Sequence, residues 1–172
     1  LEDCRVVGIS GRDDKCAWVV DEVGFDTCVN HRDPDFVDQL KAATPDRVDV
    51  SFDNVGGPVL DAVLHRLAMH GRVVLCGAIS QINEAELPPG PTNYLQLLAK
   101  SARMQGFTTL DFARRYDEAR AQLADWIRAG KIRYRDEIVE GLDEAPSHLL
   151  RLFNGAHRGK LMVKLADAGV WE

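Results

Sequence analysis

Short runs of β-branched and apolar residues alternate with helical patterns along the chain, and this alternation limits the fold more than any other feature. A strand, a helix and a second strand in succession are typical of a parallel sheet with right-handed crossovers. The sequence therefore predicts the α/β class, with a doubly wound, mostly parallel sheet. The predicted strands cover residues 4–10, 26–30, 47–53, 72–78, 103–109, 132–141 and 159–165, and the predicted helices cover residues 13–24, 33–43, 58–71, 92–102, 112–129 and 145–155.

Two of the predicted helices have well-marked patterns. The helix over residues 58–71 begins with a proline, carries a leucine-rich stripe, and is predicted to end at Gly71. The helix over residues 112–129 is the longest, and Leu123 and Ile127 belong to its apolar face.

Composition excludes several classes of function. The 172 residues are 45% hydrophobic and 28% charged, which suits one packed domain. The net charge is −6 and no basic stripe occurs, so nucleic-acid binding is not expected. The apolar runs are far shorter than the roughly 20 residues of a membrane span, and we expect no membrane partner. The four cysteines form no CxxC pair and no metal-ligand spacing with the five histidines, so we expect reduced thiols, a cytoplasmic protein and no metal.

Ligands of such sheets bind beyond the carboxyl ends of the strands, so the residues that follow each strand indicate function. After the first predicted strand, Ser10 leads to the cations Arg12 and Lys15. Cations at this place favour the 2′-phosphate of NADP over the bare ribose of NAD. From this segment alone, the favoured interpretation is a solvated helix start, in which Asp13 and Asp14 stabilise the N-terminus.

The later strand exits carry small or polar residues. Asn54 and two glycines follow a strand in the stretch SFDNVGGPVLDAV, residues 51–63. These residues form either a plain turn or a segment whose backbone is accessible to a ligand. CGAIS, residues 76–80, is similar, although its cysteine also suits a buried position. Phe107 suits either a packed core or the wall of a pocket for a planar ligand. His31 alone does not indicate a function. Together these exits favour a nucleotide-type ligand.

Several common catalytic motifs are missing from the sequence. There is no GxGxxG and no GxxxxGK[ST] phosphate loop, no Tyr-x-x-x-Lys pair and no GxSxG elbow. No pair of carboxylates stands out as a general acid and base. The catalytic residues therefore stay unassigned.

Six motifs, taken in order, point to one family: VVGISGRDDK, FDNVGG, VVLCGAISQIN, PPGP, RMQGF and NGAHRGKLMVKL. This series resembles the NADPH-dependent alkenal/enone reductases, which include the prostaglandin reductases and form a zinc-free branch of the medium-chain dehydrogenase/reductase superfamily. The resemblance implies a Rossmann-type domain that binds NADP(H).

The resemblance also implies an incomplete domain. Residues 1–172 would form the NADP-binding Rossmann domain with a C-terminal helix and strand, without the GroES-like substrate domain, the first Rossmann strand or its Gly-rich loop. In the strand order 3-2-1-4-5-6, the missing strand lies between the strands at residues 4–10 and 47–53. We therefore expect a split sheet and a chain that is part of a longer protein.

Residue by residue, the resemblance implies that Lys15 contacts the 2′-phosphate with help from Arg12, and that Asn54 lies near the nicotinamide. Three positions depart from the family pattern: His31 and Ile82 replace tyrosines, and His157 replaces an asparagine. Ile82 matters most, because isoleucine cannot donate a hydrogen bond to an enolate oxygen. The full set of implied cofactor contacts is Arg12, Lys15, His31, Asn54, Cys76, Gly77, Ala78, Ile79, Ser80, Phe107, Thr108, Thr109 and His157.

The function that the resemblance implies is NADPH-dependent reduction of the carbon–carbon double bond of small enones and enals by the whole protein. This chain alone is expected to be inactive. The alternatives are a non-catalytic nucleotide-binding or structural module and, with less support, a Rossmann-like methyltransferase. The family and the edge-strand pattern of residues 132–139 together suggest a homodimer.

Overall fold

The computed structural model describes residues 4–82, 85–86, 88–153 and 155–165, and seven strands and six α-helices lie in that part of the chain. The strands are β1 (Val7–Ser10), β2 (Thr27–Asn30), β3 (Val48–Asp53), β4 (Leu67–Leu75), β5 (Arg103–Gly106), β6 (Asp136–Glu140) and β7 (Lys160–Lys164). The helices are α1 (Asp13–Trp18), α2 (Phe36–Ala43), α3 (Gly57–His65), α4 (Leu95–Ala99), α5 (Tyr116–Arg128) and α6 (Ala145–Phe153).

Every strand pair in the described ranges is parallel, as the alternation of strands and helices predicts. β1 pairs with β2, β3 pairs with β4 and β4 with β5, and β6 pairs with β7. Each pair joins strands that are consecutive in the chain, and a helix lies between the two strands of every pair. None of the described helices is both long and apolar enough to span a bilayer.

The sheet is divided between β1 and β3. Within the described residues, β1 hydrogen-bonds only to β2, and β3 hydrogen-bonds only to β4. On β3, Val50 is 51% exposed and Phe52 is 61% exposed. This is the division that the family strand order implies, and it leaves one edge of β1 and one edge of β3 without a partner strand.

Helix α3 joins the two parts of the core. Val59 and Val63 pack with Val29 of β2 and with Phe36 and Leu40 of α2. The opposite side of α3 packs on β4 and β5 through a second set of buried side chains. That set consists of Leu60, Leu64, Leu67 and Val73, with Leu75, Leu97, Ala102 and Met104 packed against it. Burying each such side chain stabilises the fold by roughly 1.5–3 kcal/mol.

The predicted end of the helix over residues 58–71 is wrong. Helix α3 ends at His65, and β4 begins at Leu67, two residues later. Strand pairing explains the early end, because Val48 donates its N–H to the carbonyl of Arg66 at 2.9 Å. A Cβ on Gly71 would lie 3.1 Å from the carbonyl oxygen of Val48. Gly71 thus permits close strand contact and does not end a helix.

The longest predicted helix begins differently in the structure. Residues Thr109–Arg115 form a 3-10 segment, and α5 follows at Tyr116. Thr108 and Asp111 form a capping box that fixes the start of the 3-10 segment. The apolar face is largely uncovered in the described chain, since Leu123 is 46% exposed and Ile127 is 41% exposed.

Candidate functional site

A large crevice lies beyond the carboxyl ends of β3, β4 and β5. Its volume is about 1770 Å³, and residues 53–61, 75–82 and 104–111 contribute most of its lining. Position and size suit a cofactor together with a small substrate, since pockets for single drug-sized ligands span roughly 300–1,000 Å³. The predicted contacts along it are Asn54, Cys76, Gly77, Ala78, Ile79, Ser80, Phe107 and Thr108.

Two loops interlock to form the floor of this crevice. Ile79 donates its N–H to the carbonyl of Asn54 at 3.0 Å, and Ser80 donates its N–H and its hydroxyl to the carbonyl of Val55 at 3.1 and 2.6 Å. The buried carboxylate of Asp53 accepts the N–H groups of Val55 and Gly56 at 2.9 and 3.1 Å. The loop after β3 is thus a rigid support for the loop after β4.

Glycines allow these two loops to approach each other. A Cβ on Gly77 would lie 3.3 Å from the carbonyl oxygen of Asn54, so glycine leaves bare backbone along the crevice. Gly56 and Gly57 have φ angles of +70° and +55°, which favour glycine. A Cβ on Gly57 would lie 3.0 Å from Oγ of Ser80. The glycine pair therefore forms the turn that precedes α3 and also lies in the lining of the crevice, and the ligand-binding interpretation of SFDNVGGPVLDAV stays a prediction.

Phe107 forms one wall of the crevice and also packs against other aromatic rings. Its ring centroid lies 6.0 Å from that of Phe52 and 5.6 Å from that of Phe112, both edge to face. Thr108 lies in the crevice wall, whereas the carbonyl of Thr109 accepts the hydroxyl of Tyr116 at 2.8 Å and lies outside the lining.

Asp61 on α3 is a site residue that the sequence analysis did not identify. Its carboxylate accepts the hydroxyl of Thr92 at 2.9 Å and the N–H of Asn93 at 3.2 Å. These bonds hold the proline-rich segment 88–92 over the crevice. The available signal was a single acidic residue in the otherwise apolar run PVLDAVL.

A smaller cavity of about 160 Å³ lies at the exit of β1. Lys15 lines it together with Ser10, Asp14 and Arg158. Next to it, Arg12 donates from Nε and from one terminal nitrogen to the two carboxylate oxygens of Asp14, at 2.8 and 3.0 Å. These hydrogen bonds hold the pKa of Asp14 below its usual value, although burial opposes them.

Lys15 lies close to three arginines and one carboxylate. Burial is the largest cause that lowers the pKa of Lys15, and the nearby charges of Arg12, Arg32 and Arg158 lower it further. Asp14 acts in the opposite direction. A group of cations that repel one another in this way is stabilised by a bound anion.

His31 lies beside this cation group, at the exit of β2. A Cβ on Gly11 would lie 2.9 Å from Nε2 of His31, so the imidazole packs closely against the backbone of Gly11. Burial lowers the pKa of His31, and Arg32 lowers it further, which favours the neutral imidazole at neutral pH. His157 lies elsewhere, with Nδ1 3.4 Å from the carbonyl oxygen of Arg151. Arg12, His31, Thr109 and His157 line neither cavity.

Asn83 and Asn154, which belong to two of the six motifs, lie outside the described residues. Among the described residues, no three His, Cys, Asp or Glu side chains are grouped so as to hold a metal ion. The crevice and the smaller cavity therefore offer glycine-lined backbone and cations to a ligand.

The thiols are expected to differ sharply in reactivity. Burial, and then a hydrogen bond with Cys16, raises the pKa of Cys28 to about 12, whereas Cys76 is exposed in the crevice. Because the thiolate is the reactive form, iodoacetamide should modify Cys28 about a hundredfold more slowly than Cys76 in the folded protein. Peptide mass spectrometry over time measures both rates. Cys16→Ser should speed the reaction of Cys28, and equal rates for Cys28 and Cys76 would contradict the expectation.

Comparison with known proteins decides the family. A family model described as zinc-binding dehydrogenase matches residues 2–127. The chain belongs to the zinc-binding dehydrogenase family. Its similarity extends to the NADPH-dependent curcumin reductase of Escherichia coli strain K12, at 40% identity over 171 residues, covering 96% of this chain and 50% of the relative. The NADP(+)-dependent 2-alkenal reductase of Nicotiana tabacum is 37% identical over 164 residues, covering 95% and 48%.

A solved structure of this family supports the fold. The crystal structure of CurA from Vibrio vulnificus in complex with NADPH matches with a TM-score of 0.88 and 41% identity, covering 95% of this chain and 50% of that one. The Rossmann-type class and the resemblance to NADPH-dependent reductases are thereby confirmed. The chain spans about half the length of the relatives that it matches.

Proposed function

We propose that the protein to which this chain belongs is an NADPH-dependent reductase of the carbon–carbon double bond of α,β-unsaturated aldehydes and ketones. The single observation that carries the proposal is the glycine-lined crevice at the exits of β3, β4 and β5, with a cation group at the exit of β1. The NADPH-binding CurA structure and the 2-alkenal reductase of similar sequence support the choice of cofactor and of substrate class.

The residues of this chain fit such a cofactor. Gly77 leaves bare backbone next to Asn54, where a flat ring or ribose has room, and Phe107 supplies an apolar wall. At the other end, Lys15 lines a cavity of about 160 Å³ that suits a phosphate group. The bound cofactor would supply a hydride to the β-carbon of the substrate, and a proton added at the α-carbon completes the reduction.

The chain's own part in this reaction is to hold and orient the reactants. Ile82 lies in the crevice wall and is 66% exposed, where the family resemblance implies a tyrosine hydroxyl. Because isoleucine has no donor, the enolate oxygen has to be stabilised by another group, and Ile82 gives this part of the crevice an apolar surface. We therefore propose that apolar enones are favoured among its substrates.

The direct test is NADPH oxidation by the whole protein in the presence of a set of 2-alkenals and enones. Nuclear magnetic resonance of the products should show saturation of the carbon–carbon bond, with the carbonyl retained. Residues 1–172 alone should give no turnover, because we propose that a segment outside this chain completes the sheet between β1 and β3. If the whole protein oxidises no NADPH with any of these compounds, the proposed function is wrong.

A further inference from the structure

Arg158 is held at both ends by acidic side chains from different parts of the fold. Its backbone N–H donates to Oε2 of Glu137 on β6 at 2.6 Å. Its guanidinium donates to the carboxylate of Asp14 on α1, which is 144 residues away in sequence. Arg151 on α6 also pairs with Glu137. The loop before β7 is thereby tied to the cavity next to Lys15.

The backbone at Gly159 fixes this placement. Its φ angle is +75°, and a Cβ there would lie 2.0 Å from the carbonyl oxygen of Arg135. The same carbonyl accepts the N–H of Lys160 at 2.8 Å. The chain therefore passes Arg135 so closely that only glycine fits, and Arg158 projects toward α1 from a rigid turn.

The charges around the smaller cavity leave a surplus of cations. Lys15 and Arg158 line this cavity, Arg12 and Arg158 share the carboxylate of Asp14, and Arg32 is also close enough to Lys15 to lower its pKa. Two carboxylates offset part of this positive charge: Asp14 is shared by two arginines, and Asp13 accepts the side-chain amide of Asn30 at 2.7 Å. A ligand that carries two negative charges balances this surplus.

We propose that Arg158 is a specificity-determining residue, which contacts the 2′-phosphate of the cofactor together with Lys15. The inference rests on the proposed function and deepens it. Both side chains line the same cavity of about 160 Å³, one from α1 and the other from the loop before β7. The phosphate takes over the hydrogen bond that Arg158 donates to Asp14 without ligand, and the carboxylate of Asp14 keeps the two bonds from Arg12.

Calorimetric binding to the whole protein tests this inference without any turnover. The two probes are adenosine 2′,5′-bisphosphate and adenosine 5′-monophosphate, which differ only in the 2′-phosphate. Arg158→Ala should weaken the bisphosphate about tenfold and the monophosphate less than about twofold, since a charge-assisted hydrogen bond is lost only with the first. Arg158→Lys should recover part of the loss. Arg128→Ala is the matched control, because it removes an exposed arginine that pairs with Asp125 on α5.

A second variant distinguishes contact between Arg158 and the phosphate from a purely structural role of Arg158. Asp14→Asn removes the competitor of the phosphate, so the bisphosphate should bind about threefold more tightly, a modest local charge effect. If the ion pair between Arg158 and Asp14 only supports the fold, both variants should bind both probes more weakly than the wild type does. That result would overturn the inference. A wild-type protein that does not prefer the bisphosphate would instead overturn the choice of NADPH in the proposed function.

Discussion

Gly159→Ala is expected to lower the free energy of unfolding by about 4 kcal/mol, which is a large effect for a single substitution. Two causes add. The left-handed backbone at φ +75° costs a residue with a Cβ about 1–2 kcal/mol. The new Cβ would also lie 2.0 Å from the carbonyl oxygen of Arg135, and backbone cannot yield as a flexible side chain can.

A second glycine provides the matched control for that substitution. Gly130 follows α5 with φ +66°, and a Cβ there would meet nothing within 4 Å. Gly130→Ala should therefore lower the free energy of unfolding by about 1 kcal/mol, the cost of the left-handed backbone alone. Urea unfolding of the whole protein, followed by circular dichroism, measures both changes. Equal losses for the two variants would show that the chain at Gly159 does not pass Arg135 as closely as described.

The order of strands and helices could be predicted from the sequence because it is a local property. β-branched runs and apolar stripes specify their own secondary structure, and each predicted strand has a counterpart in the structure. The end of α3 could not be predicted in this way. Leu67 continues the apolar stripe of the helix, but its pairing with Val48 of β3 places it in a strand. Only tertiary contact decides between the two.

The same contrast applies to the candidate site. Asn54, Cys76–Ser80 and Phe107 follow strands directly, and parallel strands bring their carboxyl ends to one edge, so these residues could be found from spacing. Arg158 could not be found from spacing, because its partner Asp14 is 144 residues away in sequence and the contact depends on the turn at Gly159. In the motif NGAHRGKLMVKL, the arginine had no local signal beyond its charge.

Lys15→Ala is expected to have the largest effect on the choice of cofactor. In the whole protein it should raise the dissociation constant for NADPH roughly tenfold to a hundredfold, which corresponds to the 1.5–3 kcal/mol of a hydrogen bond to a charged group. Binding of NADH should change less than about threefold, since NADH has no 2′-phosphate for Lys15 to contact. Fluorescence titration with each reduced cofactor measures both constants.

The ratio of the two constants, and not either constant alone, carries the conclusion about Lys15. Loss of any positive charge weakens an anionic ligand through long-range attraction, and salt screens that effect over about 10 Å. Lys41→Ala on α2 removes the same charge at an exposed position outside both cavities, so it should lower both affinities slightly and leave the ratio unchanged. If Lys15→Ala also left the ratio unchanged, the cations around the smaller cavity would not bind the 2′-phosphate, and the roles of Lys15 and Arg158 would fail together.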